Sequence, residues 1–188
     1  MLNKLGMMIL EGIQVIGISA ILIVILHVLI IQPQEVKGMS MYPYLNDGDH
    51  LMTEKITYRL RDPQRGEIVV FEYPLNRSED YIKRVIGLPG EKIQVKNNKV
   101  IIYNNNNPEG FVLEEDYLDS KAITQGREFI KDGQILQIPD GKYVVFGDNR
   151  DRSSDSRQWG FIEKSDIVGR ALFRFWPPQS VGSLILAN

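Results

Sequence analysis

The sequence predicts a mostly β domain behind a single membrane-spanning helix, and three observations carry that prediction. The first is an apolar run without acidic or basic side chains other than one histidine, residues 13–31, near the start of the chain. The second is a series of short stretches rich in Val, Ile, Phe and Tyr, separated by turn signals, with no long amphipathic helix beyond Pro33. The third is size: 188 residues with 43% hydrophobic content suffice for one medium domain once the apolar run is set aside.

Taken in chain order, the run "IQVIGISAILIVILHVLII" has about the ~20 residues that a bilayer core requires. It is longer than the apolar part of a cleaved leader, and no small-x-small pair followed by a polar start lies near its end, so an uncleaved anchor over residues 1–32 is expected. Lys4 and the amino terminus on one side, against Lys37 on the other, mildly favour a cytoplasmic N-terminus. Residues 33–188 are then an extracytoplasmic domain. Its predicted strands are "EIVVFEY" (67–73), "YIKRVIG" (81–87), "KIQV" and "KVIIY" on either side of Asn97-Asn98, "ILQI" (135–138), "KYVVFG" (142–147) and "RALFRFW" (170–176). Asn97-Asn98 fits a two-residue hairpin turn, because asparagine tolerates positive φ. Residues 104–131, opening with "NNNNPEG", read as a polar, irregular insertion. There is no internal repeat.

Composition excludes several functions. A formal charge of −2 gives no basic surface for nucleic acid. Without cysteine there is no disulfide, thiol nucleophile or thiolate site, and two histidines make a poor metal set, so neither metal nor cofactor is expected.

The stretch "GMSMYPYLNDGD" (38–49) sets Ser40 nine residues beyond Ile31. At ~3.3 to 3.6 Å per residue it lies no more than ~30 Å from the end of the run, so it stays near the bilayer. A serine nucleophile needs a base. His27 lies inside the apolar run, and His50, in "DGDHLM", has no accompanying pattern. In an extended "YIKRVIG" both faces mix apolar and basic residues, so spacing leaves Lys83 open between a base and a lysine that sends its amine to solvent. As a base it must be buried, since a free lysine has a pKa near ~10.4. Met39, Met41, Tyr42 and Tyr81 are candidates to exclude water from it.

Four ordered stretches resemble the bacterial type I signal peptidases: "GMSMYPYL" (38–45), "GDHLMTEK" (48–55), "RGEIVVF" with "YIKRVIGLPGE" (65–71 and 81–91), and "GDNRDRSSDSR" (147–157). The likeness continues through "WGFIEKSDIVGRALFRFWP" (159–177) and leaves mainly residues 104–131 outside it. The resemblance implies a serine endopeptidase with Ser40 as nucleophile and Lys83 as general base. It also implies that Ser153 hydrogen-bonds the lysine amine, that Asp155 and Arg157 brace the loop, and that Asp148, Asn149 and Arg150 are scaffold. Met41, Pro43 and Tyr81 are the implied substrate contacts. The implied substrates are signal peptides of translocated preproteins, bound as an extended strand and cut after small-x-small sites. Where some members carry a serine two residues before the nucleophile, this chain has Gly38, which leaves the Ser40 N–H as the main oxyanion donor.

Two further departures from the family pattern are Tyr44, where threonine is usual, and Glu67, where aspartate is frequent; Tyr44, bulkier and one residue past Pro43, leaves the shape of the cleft open. Met39, Tyr42, Phe173, Phe175 and Trp176 can dip into the membrane interface or, for the last three, pack in the core. Two rivals are a self-cleaving repressor-like serine/lysine protease, which carries a DNA-binding module in place of an anchor, and an anchored β domain that binds exported chains without cutting them.

Overall fold

Apolar residues on every side of a helix leave it nothing to do in water, and the first element has that character. In the computed structural model, which describes residues 4–185, α1 runs over Lys4–Leu29. Within it Gly6–Ile25 is long and apolar enough to cross a membrane, and none of it is buried against the rest of the chain. The His27 side chain lies outside the described residues, as do residues 1–3 of the expected cytoplasmic tip and residues 186–188. The helix ends before the apolar run does. Pro33 forces extended backbone on Gln32, and Ile31 already opens the strand β1 (Ile31–Glu35).

Beyond α1 the strands are β2 (His50–Glu54), β3 (Ile68–Tyr73), β4 (Asn76–Gly87), β5 (Lys92–Lys96), β6 (Lys99–Asn104), β7 (Asn107–Val112), β8 (Ile135–Gln137), β9 (Lys142–Phe146), β10 (Ile162–Glu163), β11 (Ile167–Trp176) and β12 (Gly182–Ser183); β3, β4, β5, β6, β8, β9 and β11 fall on the seven predicted runs. Short helices α2 (Thr57–Leu60) and α3 (Ser156–Trp159) join them. One sheet has the order β1-β2-β11-β3-β4-β9-β10 with β12 on β11; the other has the order β7-β6-β5-β8. The β5–β6 hairpin turns on Asn97 (φ 53°) and Asn98 (φ 62°), the double left-handed pair its asparagines favour.

Alternation along the strands builds three cores. In β3, Ile68 faces a cluster with Val36, Met41, Leu45 and Leu51, while Val69 and Phe71 face one with Val85, Tyr143 and Val145. In β9, Val144 and Phe146 turn instead to a third cluster, between the two sheets, with Ile86, Ile93, Val95 and Ile102. Each such side chain taken out of water contributes about 1.5 to 3 kcal/mol. The cluster around Met41 and Leu45 matters most for function, because it anchors the segment that carries Ser40.

The insertion is more regular than its composition implies. Residues Asn107–Val112 pair with β6 in spite of Pro108 and Gly110. β7 is an edge strand, where a missing N–H costs no ladder bond. The following stretch packs back on the domain, with Thr124 and Ile130 buried.

Two of the unpaired strand edges position the site. β1 pairs only with β2, and β4 pairs with β9 only from Arg84 onward. The outer edges of β1 and of the first half of β4 therefore face one another across a groove of ≈ 640 Å³, lined by residues 34–41 and 78–83. Gln34 Nε2 bridges it, donating to Asp80 Oδ2 at 3.2 Å.

Candidate active site

The nucleophile segment is a turn pinned at both ends. Val36, Met41 and Leu45 are buried beneath it, and Val36 exchanges backbone hydrogen bonds with Asp49 (2.8 Å) and Gly48 (2.9 Å). Gly38 takes a left-handed φ of 81°, which a side chain would strain, and its N–H donates to Asp47 Oδ1 at 2.6 Å. Ser40 is thereby held half-exposed at the groove, and its N–H donates to no group among the described residues.

Lys83 reaches the same point from β4. Its Nζ donates to Ser40 Oγ at 2.8 Å and to the Ile82 carbonyl at 2.9 Å, with the Tyr81 ring centroid 5.1 Å away. The residue is only 4% exposed. Burial pushes its amine down to about 8, although Asp155 and Asp148 pull it back up. At neutral pH roughly a tenth of such amines are neutral, where a free lysine would be almost wholly charged.

The loop 147–157 closes the site from the far side. Asn149 holds the nucleophile segment twice: its N–H donates to the Ser40 carbonyl at 3.0 Å and its Nδ2 to the Met39 carbonyl at 3.0 Å. Gly147 lies against the Ser40 carbonyl and Ser153 so closely that a Cβ there would overlap both. Its N–H donates to Asp155 Oδ2 at 3.1 Å, and Asp155 also pairs with Arg157 through two 2.8 Å hydrogen bonds and caps α3. Burial works against the Asp155 charge, yet the Arg157 guanidinium and the Gly147 N–H hold its carboxyl below the usual range.

Behind this loop lie two buried arginines. Arg84 pairs with Asp148 at 2.6 Å, both side chains fully enclosed, and its guanidinium stacks between Tyr117 (3.9 Å) and Tyr44 (4.8 Å). Arg150 binds Glu115 and donates to Thr124 Oγ1 at 2.6 Å and to the Gly147 carbonyl at 3.1 Å. Glu115, Tyr117 and Thr124 all come from the insertion, so that segment fixes the loop that fixes Ser40.

Of the residues singled out in the sequence, Ser40 and Lys83 meet, Met41 and Tyr81 line the groove, and Pro43 lines a second recess beyond Met39. The Tyr81 ring covers the amine and Met41 is buried beneath the nucleophile turn, whereas Met39 and Tyr42 are 45% and 44% exposed. One expectation needs correction, and two points left open are decided. Ser153 is buried, but its hydroxyl has no hydrogen-bond partner among the described residues; the amine uses the Ile82 carbonyl instead. Tyr44 packs on Arg84 rather than into the groove, because its ring is drawn to the guanidinium face. Phe173 and Trp176 are 39% and 52% exposed, so neither is a core residue. His50 lies beside Phe175, ring centroids 5.8 Å apart, and lines no part of the groove. Asn149, read as scaffold, holds the nucleophile segment directly, and Gly147 had no role assigned; no local pattern separates it from an ordinary polar turn.

Residues 9–176 match the family model described as signal peptidase, peptidase S26. The chain is 38% identical over 182 residues to a signal peptidase I of Leptolyngbya laminosa, covering 93% of this chain and 83% of that one. It is 36% identical over 180 residues to signal peptidase IB of Staphylococcus aureus strain COL, covering 90% of each. Among solved structures, a signal peptidase I from Enterococcus faecalis V583 aligns with a TM-score of 0.47 at 32% identity, over 58% of this chain and 97% of that one.

Proposed function

We propose a Ser40/Lys83 mechanism from one premise: the chain belongs to the signal peptidase family, peptidase S26, as a signal peptidase I that removes signal peptides from secreted preproteins. The observation that carries the mechanism is the 2.8 Å contact between Ser40 Oγ and a lysine amine whose burial lowers its pKa. Neutral Lys83 takes the Ser40 proton as Oγ attacks the scissile carbonyl. The Ser40 N–H meets the developing oxyanion. The lysinium then protonates the leaving amine, and a water activated by the again neutral amine hydrolyses the acyl-enzyme.

The substrate lies extended between the free edges of β1 and β4, where backbone pairing gives affinity without selecting side chains. Selection falls to the groove wall beside Ser40, where Met41 and Tyr81 leave room for a small residue before the cut. A binding domain without catalysis would have no use for a buried lysine aimed at a serine.

The exposed apolar helix suggests membrane anchoring. In our reading residues 1–32 form that anchor with a cytoplasmic N-terminus, and residues 33–188 act at the outer face of the bilayer. Exposed Phe173 and Trp176 then contact lipid there. Incubating the purified protein with a preprotein and determining the new amino terminus by mass spectrometry tests this reading. The expected cut follows a small residue just beyond the apolar stretch of the signal peptide. Cutting within the mature chain, or none, would contradict it.

A further inference from the structure

The groove between β1 and β4 ends at Ser40, but the surface does not. Beyond Met39 a second recess of ≈ 410 Å³ opens, sharing Met39 and Arg152 with the groove. Its walls are Met39, Tyr42 and Pro43 on one side and Asp119, Lys121 and Ala122 on the other, over a floor of residues 148–152.

We propose that this recess is a subsite for the first residues of the mature protein, the part of the substrate that leaves after the first chemical step. The inference rests on the dyad and anchor reading above. Direction follows from geometry. β1 runs from the end of α1 toward Ser40, so the groove lies between anchor and nucleophile. A signal peptide held in the membrane by its apolar stretch enters from that same side, with its residues before the cut alongside β1. Residues after the cut must then continue past Ser40, and the recess beyond Met39 is the concave surface that continues there.

The recess is also built rather than incidental. Its outer wall belongs to the stretch after β7, and that stretch is tied down on both sides of residues 119–122. Glu115 holds Arg150 and Tyr117 stacks on Arg84; beyond the wall, Thr124 accepts from Arg150 and the Gln125 carbonyl accepts from Arg157 at 3.2 Å. The same interactions that hold the catalytic loop therefore hold the wall. The lining mixes Met39, Tyr42, Pro43 and Ala122 with charges of both signs at Asp119, Lys121, Asp151 and Arg152. Such a surface accepts an extended peptide of varied side chains, as the starts of different mature proteins demand, in place of one charge class.

Two peptides with the same residues before the cut test it, one continuing six residues past the cut and the other ending one residue past it as an amide. Ala122→Trp fills the recess without touching the dyad. It should lower kcat/KM for the long peptide about tenfold and leave the short one within about twofold. Equal loss on both peptides, or no loss on either, would overturn the proposal. A second measurement needs no chemistry: a labelled hexapeptide of the mature sequence should bind Ser40→Ala protein, and binding should weaken at least about tenfold when Ala122→Trp is added. Unchanged binding would overturn the subsite alone. Cleavage of both peptides by Ser40→Ala would instead overturn the dyad, which keeps the two failures apart.

Discussion

Lys83→Met protein should fold and fail to process preproteins, with kcat/KM down by at least ~10⁴-fold, the scale on which serine peptidases lose activity when the nucleophile or its base is removed. Methionine matches the length of the lysine stem and its apolar surroundings without offering a proton acceptor. The fold should not suffer, because the substitution removes a buried amine whose ionisation burial already opposes. Ser40→Ala should be equally inactive, and a Ser40→Ala/Lys83→Met double variant no worse than either single one, since the two residues act as one unit. His50→Ala should retain most activity, as its ring packs beside Phe175 away from the groove. Thermal denaturation and a preprotein assay on the four proteins check this. Substantial cleavage by either dyad variant, or a folded but inactive His50→Ala, would contradict it.

The second large effect comes from a residue with no side chain. Gly147→Ala should lower kcat/KM about 10²-fold, because its Cβ overlaps the Ser40 carbonyl and Ser153, and a displacement of about 1 Å at a nucleophile is enough for such a loss. The stability cost should be about 1 to 3 kcal/mol, the usual result of overpacking an enclosed site. Adding Ser153→Gly removes one overlap and leaves the one with backbone, so it should restore stability more than activity. A folded Gly147→Ala enzyme with wild-type rates would show that the loop does not set the position of Ser40.

How far the sequence reads ahead of the structure depends on the distance over which each feature is decided. The β5–β6 hairpin was legible because Asn97 and Asn98 carry their own backbone preference. β3 and β9 were legible because both are runs of β-branched and aromatic residues between turn signals, buried on both faces. The roles of Ser40 and Lys83 were legible as a resemblance, but the burial of Lys83 was not. It arises where the sheet curls and brings the nucleophile turn, 43 residues earlier in the chain, over the amine.

The insertion shows the same limit in reverse. Glu115 and Thr124 look like solvated loop residues, yet they satisfy Arg150, 35 and 26 residues away. A polar side chain that exists to neutralise a buried one leaves no local periodicity. The place of Ser153 was illegible for a simpler reason: whether a hydroxyl in a polar turn reaches a given amine is decided by packing, not by its neighbours in the chain.

The central claim is that a neutral lysine, made neutral by burial, activates Ser40. The most direct test is the pH dependence of kcat/KM on one preprotein-derived peptide. Because the unprotonated amine is the active form, the rate should rise with pH and fall on acidification through a single limb centred near about 8, the value to which burial brings Lys83. The limb should be unchanged in His50→Ala. A limb centred near ~6.5 that disappears with His50, as histidine catalysis requires, would contradict the account.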